Sequence, residues 1–416
     1  MQSESVHCCV TSPPYWGLRD YGVPGQLGLE RTPEEYVQKI VAIFAEVRRV
    51  LRSDGTLWLN LGDSYASGKS RYSTKEQSIL GGGERSAKYG QLHHGGKPDL
   101  YFHPTLKDKD LVGIPWRVAF ALQADGWYLR QDIIWQKPNP MPESVRDRCT
   151  KAHEYIFLLA KSTKYYYDAE AVKEDLSDKS RERRKYHAKN VCSSKYHQCA
   201  DDLVKPDFLS GTDGDARWPS KRNRRSVWTI TTKPYKEAHF ATFPPELPTT
   251  CIKAGTSEKG CCHVCGSPYE RQIAKQTGST IESVNGANTG VNNKLPYHAN
   301  NPHRMRLTKH EIATNRTGNV SYHDPLHTKA YSAVTTLGWQ PSCSCENSEP
   351  SPCIVLDPFS GAGTTGLVAL QLGRGYVGIE LNAEYIEISK RRLSVERLNA
   401  DTPQLRLPES SETPGV

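Results

Sequence analysis

Two stretches of this chain combine residue types and spacings that could carry chemistry. The first, Thr11-Ser12-Pro13-Pro14-Tyr15-Trp16, ends a short apolar run from Val6 to Val10. Prolines cannot continue a β-ladder, so the run reads as a buried strand stopped at its C-terminal edge, where open α/β sheets place their ligands. Two prolines stiffen the turn and fix the directions of the Ser12 hydroxyl and the Pro13 carbonyl, both hydrogen-bond acceptors. With the flat faces of Tyr15 and Trp16 nearby, these acceptors can grip a planar amine, taking its N–H hydrogens while an aromatic ring stacks on it. An exocyclic amino group of a base rotated out of a duplex has that chemistry.

The second stretch, Leu356-Asp357-Pro358-Phe359-Ser360-Gly361-Ala362-Gly363-Thr364-Thr365, follows a strand and opens a helix. Glycines at such a turn let a ligand approach the backbone, and the helix start offers free N–H groups. The spacing is not the dinucleotide fingerprint, and no Gly-Lys-Ser/Thr of a phosphate loop follows. Glu380 closes the next strand, where an acid typically takes the two ribose hydroxyls of a nucleoside. The ligand that suits this pattern is adenosine-like and need not carry phosphates.

A third constellation is made of cysteines. Cys262-His263-Val264-Cys265 and Cys343-Ser344-Cys345 stand at either end of a polar segment rich in Asn, Thr, Gly and His. Two thiolates from each end would give the four-cysteine tetrahedral coordination of a structural zinc site, with Cys261 and His263 as substitute ligands. Closing a long loop that has little core of its own is where such a clip stabilises most.

The elements that must position these residues follow from periodicity. Thr32 is a candidate N-cap, Pro33 a first helical residue, and Glu35 completes a Thr-x-x-Glu capping box. Tyr36, Ile40 and Phe44, with Val37, Val41, Val47 and Leu51, form one apolar stripe, which Asp54-Gly55 is expected to end before a strand at 56–61. A helix over 111–124, strands over 127–135 and 154–160, and a final strand–turn–helix–strand–helix run from 354 to 398 complete the pattern. Alternating helices and apolar strands imply βαβ units and a mainly parallel sheet with helices on both faces. Residues 64–106, 169–225 and 266–340 lose this periodicity and read as insertions.

Composition narrows the function class. Of 416 residues, 37% are hydrophobic, enough for a sizeable core, and no apolar run is long enough to span a membrane. The start of the chain does not have the basic-then-apolar pattern of a signal peptide, so a cytoplasmic location is expected and the 12 cysteines read as thiols or metal ligands. The net charge of +8 is concentrated: residues 179–225 hold 13 Lys/Arg against 6 Asp/Glu. Such a patch attracts polyanions, nucleic acid being the usual one.

The two reactive stretches resemble the catalytic and cofactor motifs of S-adenosylmethionine-dependent amino-methyltransferases of DNA, which carry (Asp/Asn/Ser)-Pro-Pro-(Tyr/Phe) and Phe-x-Gly-x-Gly. The order here, catalytic motif first and cofactor motif last, is similar to that of their permuted β class. Further matches run from Gly28 to Tyr65 and from Asp110 to Arg148, with Trp135-Gln136-Lys137-Pro138-Asn139, and His239 to Pro244 resembles the family's extra cofactor motif. Family members usually carry a further stretch with a Gly-Asp turn and a helix ahead of the strand equivalent to Val6–Val10; this sequence starts almost on that strand.

The resemblance implies a Rossmann-like methyltransferase fold and a set of roles. Ser12, Pro13, Pro14 and Tyr15 would be catalytic, with Trp16 supporting the stacked base. Asp357, Pro358, Phe359, Gly361, Gly363, Thr364, Thr365 and Glu380, with Phe240 and Thr242, would hold S-adenosylmethionine. The Ser-Pro-Pro-Tyr form is the one associated with N4-cytosine, whereas Asp at position 12 would favour N6-adenine, the alternative within the family. Methylation at C5 needs a Pro-Cys nucleophile; Pro352-Cys353 starts the cofactor strand instead of following it, so Cys353 reads as a packed strand residue. A non-catalytic zinc-containing DNA-binding protein is the alternative of another class, and the basic patch by itself does not separate DNA from RNA.

The expected organisation is a catalytic half over 1–168, with 64–106 inserted, and a recognition segment over 169–225. A return to the core over 226–260, a zinc-clipped insertion over 261–346, a cofactor half over 350–400 and a flexible tail over 401–416 follow. Arg183, Arg184, Lys185, Arg222, Arg224 and Arg225 are the candidate contacts to double-stranded DNA, and Arg304, Arg306 and Lys309 a second set. A homodimer and a separately encoded restriction endonuclease are the further partners such an enzyme would have.

Overall fold

The computed structural model describes residues 1–66, 105–180, 182, 221–233, 243–277, 280–282, 333–346 and 349–401. Arg183, Arg184, Lys185, Phe240, Thr242, Arg304, Arg306 and Lys309, and most of the 64–106 insertion, lie outside these residues.

In chain order the elements are β1 (Val6–Thr11), α1 (Pro33–Val50), β2 (Leu51–Leu61), α2 (Ile114–Ala124), β3 (Tyr128–Gln136), β4 (His153–Ala160), β5 (Glu174–Asp175), β6 (Lys221–Arg222) and β7 (Val227–Thr229). They continue with α3 (Glu246–Gly255), β8 (Cys261–Cys262), β9 (Tyr269–Thr277), β10 (Thr280–Glu282), β11 (Ala333–Pro341), β12 (Pro350–Ser351), β13 (Ile354–Asp357), α4 (Thr364–Gln371), β14 (Gly375–Gly378) and α5 (Ala383–Asp401). The chain forms two compact units. The first holds 1–174, 222–271 and the chain from 339 onward, and contains everything needed for the site. In the second, comprising 175–221 and 272–338, β10 pairs antiparallel with the end of β9.

A seven-stranded sheet in the order β14-β13-β1-β2-β4-β3-β7 organises the first unit. All of its strand pairs are parallel except those of β4, which runs against both β2 and β3. The expected mainly parallel sheet is therefore present, with one reversed strand.

Strand alternation sends side chains to two cores. Cys9, Leu57 and Leu59 join Tyr36, Ile40 and Phe44 of α1 and Val118 and Leu122 of α2 on one face. Cys8, Val10 and Trp58 join Leu247, Cys251 and Ile252 of α3 and Val368 and Ala369 of α4 on the other. Covered on both faces, β1 is buried at every position, its polar His7 and Thr11 included, and lacks the exposed stripe of a half-solvated strand.

Thr32 caps α1 by accepting from the Glu35 amide at 3.2 Å, while the Glu35 carboxylate reaches past the cap to the Arg31 amide at 3.1 Å, so the box is offset by one residue. Two boundaries differ from expectation. Helix α1 stops at Val50, and Asp54-Gly55 lies inside β2, where the register with β1 shifts between Val6↔Leu51 and Cys8↔Thr56. The extra residues are absorbed as a bulge, so Asp-Gly marks an irregular strand and not a helix end. Helix α2 begins at Ile114, behind a left-handed Gly113, because Leu111 is drawn into a bridge with Tyr65.

Candidate active site

β1 lies beside β13 in parallel register, Cys8↔Val355 and Cys9↔Leu356. Their C-terminal ends therefore emerge together, and residues 346 apart in sequence touch: the Thr11 hydroxyl donates to Asp357 Oδ1 at 2.6 Å. Thr365 Oγ1 donates to Oδ2 at 2.7 Å and the Phe359 amide to Oδ1 at 3.0 Å. Asp357 is 1% exposed, and burial pushes its carboxyl up to about 6 despite these three donors. With its oxygens spent this way, Asp357 ties the end of β1 to the glycine turn that follows β13.

The Ser-Pro-Pro-Tyr turn is held from several sides. The Tyr36 hydroxyl donates to the Pro14 carbonyl at 2.8 Å, whereas among the described residues no donor reaches the Pro13 carbonyl. The Ser12 hydroxyl is 3.3 Å from the Tyr15 oxygen. Trp16 is placed in the core, 2% exposed, with Nε1 donating to the Glu30 carbonyl at 3.0 Å. Its ring supports the turn from the core side and has no free face for a base, because a stacking face must be open.

Tyr15 is the centre of a network that the sequence did not announce. Its hydroxyl lies 2.7 Å from Glu154 Oε2 and 3.2 Å from Asn60 Oδ1. Glu154, at the start of β4, is ion-paired with Lys137, just past the end of β3, and also accepts from Asn60 Nδ2 at 3.1 Å. Burial and the neighbouring Glu154 charge raise the Tyr15 phenol well above its ordinary value, so it stays protonated and donates. Its ring rests on Gly62: an added Cβ there would lie 2.4 Å from Tyr15 Cε2. Lys137 falls in the Trp135–Asn139 motif, but only the pairing of β3 with β4 shows what it holds.

At the glycine turn after β13, Gly361 (φ +52°) and Gly363 (φ +77°) adopt left-handed conformations. Nothing lies within 4 Å of a Cβ built on Gly361, so the turn presents open backbone, whereas one on Gly363 would strike Ser389 Oγ at 2.4 Å. Glu380 sits beside this opening, taking the Gly361 amide at 2.7 Å and the Leu381 and Asn382 amides at 2.9 Å each. The side chains of Thr364 and Thr365 turn inward, to Arg392 and to Asp357, while Pro358 and Phe359 stay half-buried beside the turn. A bare backbone concavity with a carboxylate at its rim fits a nucleoside without phosphates.

The remaining candidates are placed as follows. Cys262, Cys265, Cys343 and Cys345 come together, with sulfurs within 4.8 Å of one another. Cys261 instead joins His7 and Cys353, and His263 turns to the Glu349 carbonyl. Arg222 and Arg225 both donate to Glu174, at 2.8 and 2.6 Å, and Arg224 lies over the Trp228 ring. Among the described residues, no helix is long and apolar enough to cross a membrane.

The N6/N4 methyltransferase family, described as DNA methylase, matches residues 6–264 and 346–391. The chain belongs to this DNA methylase family. The type II methyltransferase M.Cfr9I of Citrobacter freundii is 36% identical over 399 residues, covering 96% of this chain and 85% of its own length. M.SmaI of Serratia marcescens is 35% identical over 396 residues, covering 94% and 86%. Among solved structures, the PvuII DNA methyltransferase (cytosine-N4-specific) is similar over 94% of this chain and 80% of its own, at 14% identity and a TM-score of 0.44. The chain is thus an S-adenosylmethionine-dependent amino-methyltransferase of DNA, with both family motifs at neighbouring strand ends.

Proposed function

We propose that this methyltransferase acts on the exocyclic N4 amine of cytosine in double-stranded DNA, with the target base rotated out of the helix. The observation that carries this reading is the head of the catalytic turn: a hydroxyl at Ser12, with no carboxylate there, beside a Pro13 carbonyl that no described residue caps. S-adenosylmethionine supplies a methyl group on a sulfonium sulfur, already a strong electrophile, so positioning in line does most of the remaining work.

The amine is the weak partner, because its lone pair is delocalised into the base ring. Ser12 Oγ and the Pro13 carbonyl would accept hydrogen bonds from its two N–H groups and favour a tetrahedral nitrogen; as the N–C bond forms, the methyl–sulfur bond would break, the neutral thioether would leave, and one amine proton would pass to solvent. The Tyr15 ring stacks on the base, held by its hydroxyl to Glu154. Glu154, matched by Lys137 and Asn60, serves as the anchor of Tyr15 and not as a base for the amine. Gly361, Gly363, Phe359 and Glu380 would hold the nucleoside part of the cofactor, with the Glu380 carboxylate as the acceptor for its ribose hydroxyls.

Unmethylated DNA incubated with the protein and isotope-labelled S-adenosylmethionine, digested to nucleosides and read by mass spectrometry, tests the reading. Label in N4-methylcytosine is the expected result. Label in N6-methyladenine would keep the fold and overturn the argument from Ser12. No label would overturn the enzyme in favour of a DNA-binding protein without turnover. We further infer a restriction-modification setting, with a separately encoded endonuclease and a second copy of this chain as partners. Plasmid recovered from cells making the protein should then resist a restriction enzyme that cuts the unmethylated form.

A further inference from the structure

The four-cysteine cluster plays no part in amine methylation, yet the backbone around it is built to bring the sulfurs together. Cys262 and Cys265 flank a tight turn in which the Gly266 amide donates to the Cys262 carbonyl and the Cys262 amide to the Ser267 carbonyl, both at 2.8 Å. Gly266, at φ +72°, closes the turn, and a Cβ there would strike Arg52 Nη1 at 2.8 Å. The second pair follows β11: Ser342 donates through both its amide and its hydroxyl to the Pro268 carbonyl, at 3.3 and 2.6 Å. Neither set of bonds involves a sulfur, so the four thiols converge by design of the main chain.

The resulting sulfur separations, all within 4.8 Å, suit a tetrahedral ion. Sulfurs about 2.3 Å from a common zinc would stand about 3.8 Å apart. All four cysteines are free thiols. Thiols are weak donors and weak acceptors, so four of them facing one another satisfy little by themselves. A soft, redox-inert cation taking four thiolates satisfies all of them.

The neighbouring group of His7, Cys261 and Cys353 is equally close-set but is not a ligand set. His7 Nδ1 accepts from the Ile354 amide at 3.0 Å, which places its proton on Nε2, 2.9 Å from the Gly266 carbonyl. Both ring nitrogens are therefore in use. Through that second bond, and through Arg52 Nη1 to the Cys265 carbonyl at 2.8 Å, the cysteine turn is docked onto β1 and β2 near their N-terminal ends. Ser12 and Gly361 lie past the C-terminal ends of β1 and β13, at the opposite edge of the sheet.

We propose that Cys262, Cys265, Cys343 and Cys345 bind one zinc ion in a closed, structural four-thiolate site at this edge. There it ties both ends of the 266–342 excursion to the catalytic sheet, remote from the transferred methyl group.

The test is metal analysis of the full chain, purified without chelator, as wild type, as Cys343→Ser/Cys345→Ser and as Cys149→Ser, whose thiol is exposed and outside the cluster. About one zinc per chain is expected in the wild type and in Cys149→Ser, with at least a ~tenfold loss in the double variant. Because the double variant can fail to fold, the wild type is also alkylated before and after chelation. Cys265, exposed as it is, should resist alkylation until the zinc is removed, while Cys149 reacts throughout. Less than ~0.1 zinc per chain, iron in its place, zinc retained in the double variant, disulfides among the four, or Cys265 reacting as fast as Cys149 in the untreated protein would each overturn the assignment.

Discussion

Replacing Gly62 by alanine isolates what the position of the Tyr15 ring contributes. An added Cβ would lie 2.4 Å from Cε2, 2.8 Å from Cδ2 and 3.3 Å from Cζ of that ring. Carbon atoms need about 3.5 Å, so the ring must retreat by roughly 1 Å. Gly62 is not in the left-handed region, so the backbone accepts alanine and the ring alone takes the strain. The ring is tethered, since its hydroxyl lies 2.7 Å from Glu154, and a hydrogen bond to a charged group contributes about 1.5–3 kcal/mol. If that amount is lost where the base must stack, methyl transfer slows by about 10- to 150-fold. Single-turnover transfer of a labelled methyl group measures the rate, with cofactor affinity measured alongside and expected to be unchanged. Tyr15→Phe removes the tether, so Gly62→Ala should cost less when combined with Tyr15→Phe than in the wild type. A wild-type rate in Gly62→Ala, or a strictly additive cycle, would refute the claim that Glu154 acts by holding Tyr15.

Three further outcomes follow from the same geometry. The Asp357 carboxyl, raised by burial from 3.8 to about 6, gives stability that is full below pH 3.8 and fades as pH rises through about 6. The swing is about 3 kcal/mol at most, so wild type should lose up to that much relative to Asp357→Asn between pH 4 and 7 in urea unfolding; a flat difference would count against it. Gly363→Ala should cost about 1–2 kcal/mol from its left-handed backbone plus the clash with Ser389, and Ser389→Ala should restore only the second part in thermal melts. Asp168, with a side chain 3% exposed, receives the fork of Arg271 at 2.9–3.2 Å; because Arg271 also keeps Glu258 at 2.7 Å, Asp168→Ala should lower unfolding free energy by about 1.5–3 kcal/mol, and a melting point near wild type would show the pair to be dispensable.

What the sequence made legible were the features written in contiguous residues. The proline-stopped run at β1, the Thr32 cap and the glycine turn before α4 each fall within a few positions, and each local rule acts over that range. The reversal of β4 is not local: an apolar run buried on both sides reads the same in either direction, and its direction came only from its neighbours in the sheet. Glu154 and Lys137 escaped for the same reason, being ordinary charges at strand ends until β3 and β4 are paired. Arg222 and Arg225 were counted as surplus positive charge; both donate to Glu174, some fifty positions earlier, whose single carboxylate offsets one of the two charges. A charge count cannot see a partner brought by folding.

The cysteines show how one residue of register divides two roles. Cys261 and Cys262 are adjacent on β8, and strand alternation sends their side chains to opposite sides. Cys262 joins the four-sulfur cluster, and Cys261 faces His7 and Cys353. Spacing alone offered either residue as a ligand; the pairing of Cys262 with Pro350 and of Cys261 with Ser351 chooses between them. The same pairing brings the chain to Cys353 and on to β13, whose far end carries Asp357. Polarity of the sheet then separates the tasks. The bonds at the N-terminal edge, from His7 and Arg52 to the cysteine turn, fix where β1 and β2 begin, and the turns at the C-terminal edge carry Ser12, the Pro13 carbonyl and the open backbone at Gly361. A parallel sheet with ligands at one edge leaves the other free for structural ties, and this chain places its four-cysteine cluster there.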